Sequence, residues 1–105
     1  MVKPPENLQA RGRALFEQLA EEYAITDAAG LALLARAAEC LDRLTEAQDL
    51  LAADGPVTKD RYGTLKAHPA NKIELDSRNG FLAALRALNL DIEPLKAIGR
   101  PTAGA

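Results

Sequence analysis

A chain of 105 residues with a formal net charge of −2 is long enough for one domain with a modest core. Apolar residues make up 48 %, yet 21 of them are alanine and there are only two Phe, two Tyr and no Trp, so a lone monomer has little area to bury and self-association would repair that. No apolar run approaches the roughly 20 residues that span a bilayer, and Met1-Val2-Lys3-Pro4-Pro5-Glu6 has no signal-peptide core, which predicts a soluble, intracellular protein.

The charge is unevenly spread. Residues 1–54 hold five basic side chains against ten acidic ones, whereas residues 55–105 hold eight against five. If a surface meets phosphate, it belongs to the C-terminal half; ordinary solvated charge is the competing reading.

In chain order, residues 1–6 read as a flexible lead with two prolines, followed by a single helical domain over 7–98 and a disordered tail over 99–105. A first helix fits from about Asn7, a candidate N-cap, to Ala24, with Leu8, Leu15, Leu19 and Tyr23 at helical spacing beside Gly12 and Phe16. Gly12 inside this pattern marks a place where another helix comes close. Tyr23-Ala24-Ile25-Thr26 leaves room only for a tight turn, so the first two helices form an antiparallel hairpin.

The second helix is the longest element, from Thr26 to Asp54. Thr26 and Asp27 are both good N-caps, and Gly55-Pro56 is the stop. Leu34, Ala38, Leu41 and Leu44 form one stripe; Leu33, Ala37, Cys40, Leu44, Ala47 and Leu51 form another beside it. Arg36, Glu39, Asp42, Arg43, Glu46 and Asp49 take the remaining, polar face. The apolar arc exceeds the roughly 100° that one antiparallel neighbour covers. Either helices of the same chain sandwich it, or part of it faces another subunit. Leu31, Leu34, Leu41 and Leu44 are the positions expected in the core or at such an interface. Cys40, the single cysteine, reads as a small buried residue.

Beyond Asp54 the pattern changes. Gly55-Pro56-Val57-Thr58 is extended, Lys59-Asp60-Arg61-Tyr62-Gly63 reads as a turn, and Thr64-Leu65-Lys66-Ala67 runs back. A short β-hairpin with a basic tip fits this stretch, with an irregular loop as the alternative. Two strands alone are marginal in water, so the hairpin must lean on something, such as its copy in a neighbouring subunit. His68-Pro69 opens a third helix with Pro69 at its first position and the His68 ring capping or packing. Ile73, Ser77, Phe81, Leu85 and Leu88, supported by Leu82, form its expected buried stripe. Lys72, Asn79 and Arg86 share an outer face, with Arg78 close by. Gly80 is a second point of close packing. The helix ends near Asn89, and Leu95 and Ile98 could dock one last turn.

Little here suggests catalysis. His68 has no cysteine or histidine at metal-ligand spacing, and there is no Gly-rich phosphate loop, Ser-His-Asp set or nucleophile elbow. No enzyme activity, metal or cofactor is expected. The long helix makes a poor recognition helix, because its exposed side is mixed to acidic. The third helix, with Lys72, Arg78 and Arg86 outward, is the better candidate for DNA contact.

Taken in order, Gly12-Arg13-Ala14-Leu15-Phe16, Tyr23-Ala24-Ile25-Thr26, the long helix with Asp42, Gly55 before a hairpin, Gly63, Lys66-Ala67-His68-Pro69-Ala70 and Leu85-Arg86-Ala87-Leu88-Asn89-Leu90 resemble the small terminase subunits of tailed phages and prophages. The resemblance covers roughly residues 8–95. It departs at the end: Leu88-Asn89-Leu90-Asp91-Ile92-Glu93-Pro94-Leu95-Lys96 stands where that family tends to have Leu-Gly-Leu, a polar residue, Pro and Arg. The resemblance implies a mainly α fold, assembling as a ring, and a non-catalytic packaging factor in the cytoplasm of the bacterial host. Its implied partners are double-stranded phage DNA, the large terminase ATPase–nuclease and further copies of itself. The DNA-contacting residues would be Lys59, Arg61 and Lys66 of the hairpin and Lys72, Arg78 and Arg86 of the third helix; Lys3, Arg11 and Arg13 are the competing set. A dimeric helical adaptor or antitoxin-like module that binds a protein partner is the alternative.

Overall fold

The structure, a computed structural model, describes residues 3–90. The expected last turn around Leu95 and Ile98 and the tail over 99–105 lie outside these residues. Three helices and one hairpin follow in order: α1 (Ala10–Glu22), α2 (Ala28–Asp54), β1 (Val57–Lys59), β2 (Leu65–Ala67) and α3 (Ala70–Leu88). The fold is mainly α, with α2 packed against both α1 and α3.

Helix α2 forms as the sequence predicts, 27 residues or about 40 Å long. Asp27 caps it, its carboxylate accepting the Gly30 N–H at 2.9 Å. Gly55, at φ +83°, ends it in a backbone conformation that suits glycine. Leu34, Ala37, Ala38, Cys40, Leu44 and Ala47 are all buried within the single chain. Helices of the same chain therefore sandwich most of the wide apolar arc, while Leu31 and Leu41 are half-buried and Leu50 remains exposed.

Helix α1 differs from expectation at both ends. It starts at Ala10 rather than Asn7, and no side chain of its own caps it. Asp42 does so from α2: its two carboxylate oxygens accept the N–H of Gln9 at 2.7 Å and of Gly12 at 2.8 Å. Asp42 is thus not part of a solvated face but 3 % exposed. Asn7 donates its side-chain amide to Glu39 instead, and Leu8, before the helix, packs into the core with Phe16, Ile25, Leu34 and Ala38. Gly12 is the point of close approach. A Cβ there would lie 2.6 Å from the Ala38 carbonyl oxygen and would also collide with the Asp42 carboxylate. At the other end, the N–H groups of Ala24 and Ile25 turn back to the carbonyls of Glu21 and Ala20. This is a Schellman closure, and it places Ala24 at φ +51°, where an alanine costs about 1 kcal/mol.

Helix α3 meets α2 through small side chains. Its buried residues are Ala70, Ser77 and Ala84, seven apart on one stripe. Gly80 sits so close that a Cβ would lie 2.9 Å from the Cys40 sulfur. The expected stripe is therefore displaced. Ile73 and Leu82 are exposed, and Phe81, Leu85 and Leu88 are only half-buried, because the small residues take the contact and bring the backbones together. Between α1 and the far end of α3 an apolar groove of about 500 Å³ remains, walled by Leu15, Leu19, Tyr23, Leu82, Leu85 and Leu90.

Replacing Asp42 by alanine leaves the Gln9 and Gly12 N–H groups without their charged acceptor and should lower the unfolding free energy by about 2–4 kcal/mol. Gly12→Ala forces the same helix pair apart and should act in the same direction. Urea unfolding followed by circular dichroism measures both, and wild-type midpoints would remove Asp42 from this role.

Candidate nucleic-acid interface

The hairpin pairs β1 with β2 antiparallel, Val57 opposite Ala67, Thr58 opposite Lys66 and Lys59 opposite Leu65. Three-residue strands cannot hold themselves together in water, so their fixed points matter. At the tip, one Asp60 oxygen accepts the N–H of Tyr62 at 2.8 Å and of Thr64 at 3.0 Å. Gly63, at φ +80°, completes the turn. At the base, the Pro56 carbonyl accepts both the His68 N–H at 2.9 Å and the Asn71 side-chain amide at 2.8 Å.

His68 is the joint between hairpin and α3. Its Nδ1 accepts the Ala70 N–H at 3.0 Å, which caps the helix. Its Nε2 lies 3.0 Å from an Asp54 oxygen at the end of α2. With Nδ1 accepting from the backbone, Nε2 is the ring nitrogen that faces the carboxylate. Pro69 has helical dihedrals (φ −55°, ψ −28°) but stands as the residue just before α3 rather than at its first position, where its missing N–H leaves no helical hydrogen bond unmade.

All six cations singled out from the sequence are exposed, but they do not form one patch. Lys59, Arg61 and Lys66 lie on the hairpin, and among the described residues none of them is in an ion pair. On α3 the situation differs. Lys72 is 3.0 Å from Asp76, and Arg78 is held by Glu74 through two hydrogen bonds of 3.1 and 3.2 Å. Such exposed pairs contribute little to stability, but each has no net charge to offer a phosphate. Arg86 is unpaired among the described residues, yet it lies fourteen residues beyond Lys72, about 21 Å along the helix. The competing cations Lys3, Arg11 and Arg13 are also exposed, with the Arg13 guanidinium donating to the Leu8 carbonyl at 3.4 Å.

The sequence reading overlooked Tyr62. It sits at the hairpin tip, 79 % exposed, with the Arg61 guanidinium 5.4 Å from its ring centre. A lone aromatic between cations in a turn was the available signal. Of the four leucines expected to be covered, Leu34 is fully enclosed, Leu44 is buried, and Leu31 and Leu41 are half-buried.

Among the described residues no group of three or more His, Cys, Asp or Glu side chains is arranged to hold a metal ion, and no helix is long and apolar enough to cross a membrane. Comparison of the chain with protein-family models, with curated proteins and with solved structures gave no match.

His68→Ala removes the α3 cap and the bond to Asp54 and should lower stability by about 1 kcal/mol. Amide exchange in Val57–Lys59 and Leu65–Ala67 should accelerate more than exchange at the centre of α2. Equal acceleration everywhere would show that His68 supports the whole fold rather than the joint.

Proposed function

We propose that this chain is a non-catalytic DNA-packaging factor of the terminase small-subunit kind. Its copies form a closed ring that binds double-stranded viral DNA and recruits or stimulates a large ATPase–nuclease subunit in the cytoplasm of the bacterial host. The observation that carries this reading is the projecting hairpin. It bears three cations that make no ion pair among the described residues, and its only carboxylate, Asp60, accepts backbone N–H groups of the turn. A two-stranded ribbon also has the width to enter a major groove. The order of motifs supports the same reading, since Gly12, Gly55, Gly63 and His68-Pro69 all serve as joints of the scaffold.

Ring assembly draws support from the apolar surface left open on α1 and α3, where Leu82 is 46 % exposed beside the groove. Heterologous contacts through such a surface close into a ring when the rotation permits. A second reading, a dimeric adaptor that binds a protein partner, is favoured by the cover that α1 and α3 already give to α2.

Light scattering coupled to size exclusion separates the two. A single closed species well above a dimer is the expected result, and a monomer or dimer at all concentrations would favour the adaptor. The combined variant Lys59→Glu, Arg61→Glu, Lys66→Glu should lose duplex binding while keeping its oligomeric mass. Neutralising about three phosphate contacts per chain should also flatten the dependence of log affinity on log salt by about 2–3. The pair Lys72→Glu, Arg78→Glu should change binding much less; the reverse ranking would move the interface to α3.

A further inference from the structure

Tyr62 is a poor fit to phosphate binding alone. A hairpin that only neutralised phosphates would need no large aromatic at its apex, and a tyrosine 79 % exposed buries little of its surface in the fold. It is also not loosely placed. The Tyr62 N–H is fixed to Asp60 at 2.8 Å, and the Gly63 N–H to the Asp60 carbonyl at 3.0 Å, so the backbone that carries the ring is closed on both sides. The Arg61 guanidinium stands 5.4 Å from the ring centre on one face. That leaves most of the ring open to solvent. Exposed aromatics set among cations are the elements with which proteins hold unpaired bases: the ring stacks on the base while the charges meet the flanking phosphates.

We infer that Tyr62, backed by Arg61 and flanked by Lys59 and Lys66, is a stacking site for an unpaired nucleotide base. This deepens the proposed function, on which it rests, by naming the part of the nucleic acid that the hairpin tip takes. The faces of paired bases inside a duplex are covered by their neighbours and unavailable to the ring. The site therefore selects DNA with an exposed base face, whether in a single strand, at a gap or at a duplex end. The cations give it salt-dependent attraction to any DNA, and Tyr62 gives it preference among structures.

The protein contains no Trp and only two Tyr, so its own fluorescence reports on the site. The test is a titration of the full chain with three DNAs of equal length: a fully paired duplex, the same duplex with a central single-stranded gap, and an oligothymidylate. The gapped duplex and the single strand should bind about tenfold more tightly than the paired duplex, the size expected of one stacked base. Their binding should quench tyrosine emission. Tyr62→Ala should erase the preference and leave affinity for the circularised paired duplex, which has no ends, almost unchanged, whereas Tyr62→Phe should keep the preference and lose the quench. Equal affinity for all three DNAs, with Tyr62→Ala behaving as wild type, overturns the stacking site and leaves phosphate binding by the hairpin intact. A preference confined to the blunt ends of the paired duplex, seen as loss of its binding on circularisation, supports the site and identifies the end as the source of the base. No salt-dependent binding of any DNA overturns both this site and the function on which it rests.

Discussion

The rest of the fold depends on one carboxylate. Asp42 lies in the middle of α2 yet serves as the N-terminal cap of α1, accepting the N–H groups of Gln9 and Gly12 while almost fully buried. A buried carboxylate is tolerable when its oxygens are met by donors, and the N-terminus of a helix presents free N–H groups together with the positive end of the helix dipole. The arrangement ties a local event to a tertiary one, because α1 has no side-chain cap of its own. The same contact sets the distance between the helices. Only glycine at position 12 lets α1 come near enough, with the Ala38 carbonyl and the carboxylate occupying the space a side chain would need.

The opposite side of α2 uses a different device with a related result. Ala70, Ser77 and Ala84 form the contact stripe of α3, and Gly80 lies against the Cys40 sulfur. Small residues give close backbones, but they bury little area per residue. The larger side chains are left to one side: Ile73, Leu75 and Leu82 are each nearly half exposed. Close packing at the centre and open apolar surface at the edges thus have a single cause. The hairpin is outside this economy altogether, since both its strands are largely exposed and its stability comes from Pro56, His68 and Asn71 at the base.

Long, periodic elements were legible in the sequence and local exceptions were not. The α2 boundaries follow from Asp27 and Gly55, and the hairpin from Gly63 and the extended segments around it, because each is decided by chemistry within a few residues. The role of Asp42 is decided thirty residues away, by Gly12. Its one local sign was position: Asp42 continues the spacing of Leu34 and Ala38, four residues apart, so an acid stood where the stripe called for an apolar side chain. The α3 stripe was misread for a related reason. Ser77 and the close approach at Gly80 are where the sequence places them, but the rest of the contact stripe is Ala70 and Ala84 rather than the bulkier Ile73, Phe81, Leu85 and Leu88. The candidate interface was legible as a list of cations. Periodicity did not reveal that Asp76 and Glu74 satisfy two of them, although both lie on the same helix four residues from their partners.

That distinction decides what the hairpin can do. Three cations without an ion pair among the described residues would hold DNA only weakly, and most of such attraction disappears as salt rises. For an isolated chain this would be a poor interface. In the ring proposed above, each added copy would present its hairpin to the same molecule at a high effective concentration, so weak contacts would combine into firm retention while each remained easily broken. A packaging factor of the proposed kind, which must hold DNA and still let it move, would need that combination. A stacking residue at the apex adds what charge alone lacks. Phosphates repeat identically along a duplex and mark no position, whereas an exposed base face occurs where the duplex ends, gaps or opens. On the proposed reading, a hairpin with Lys59, Arg61 and Lys66 around Tyr62 would combine a contact indifferent to position with one that distinguishes it.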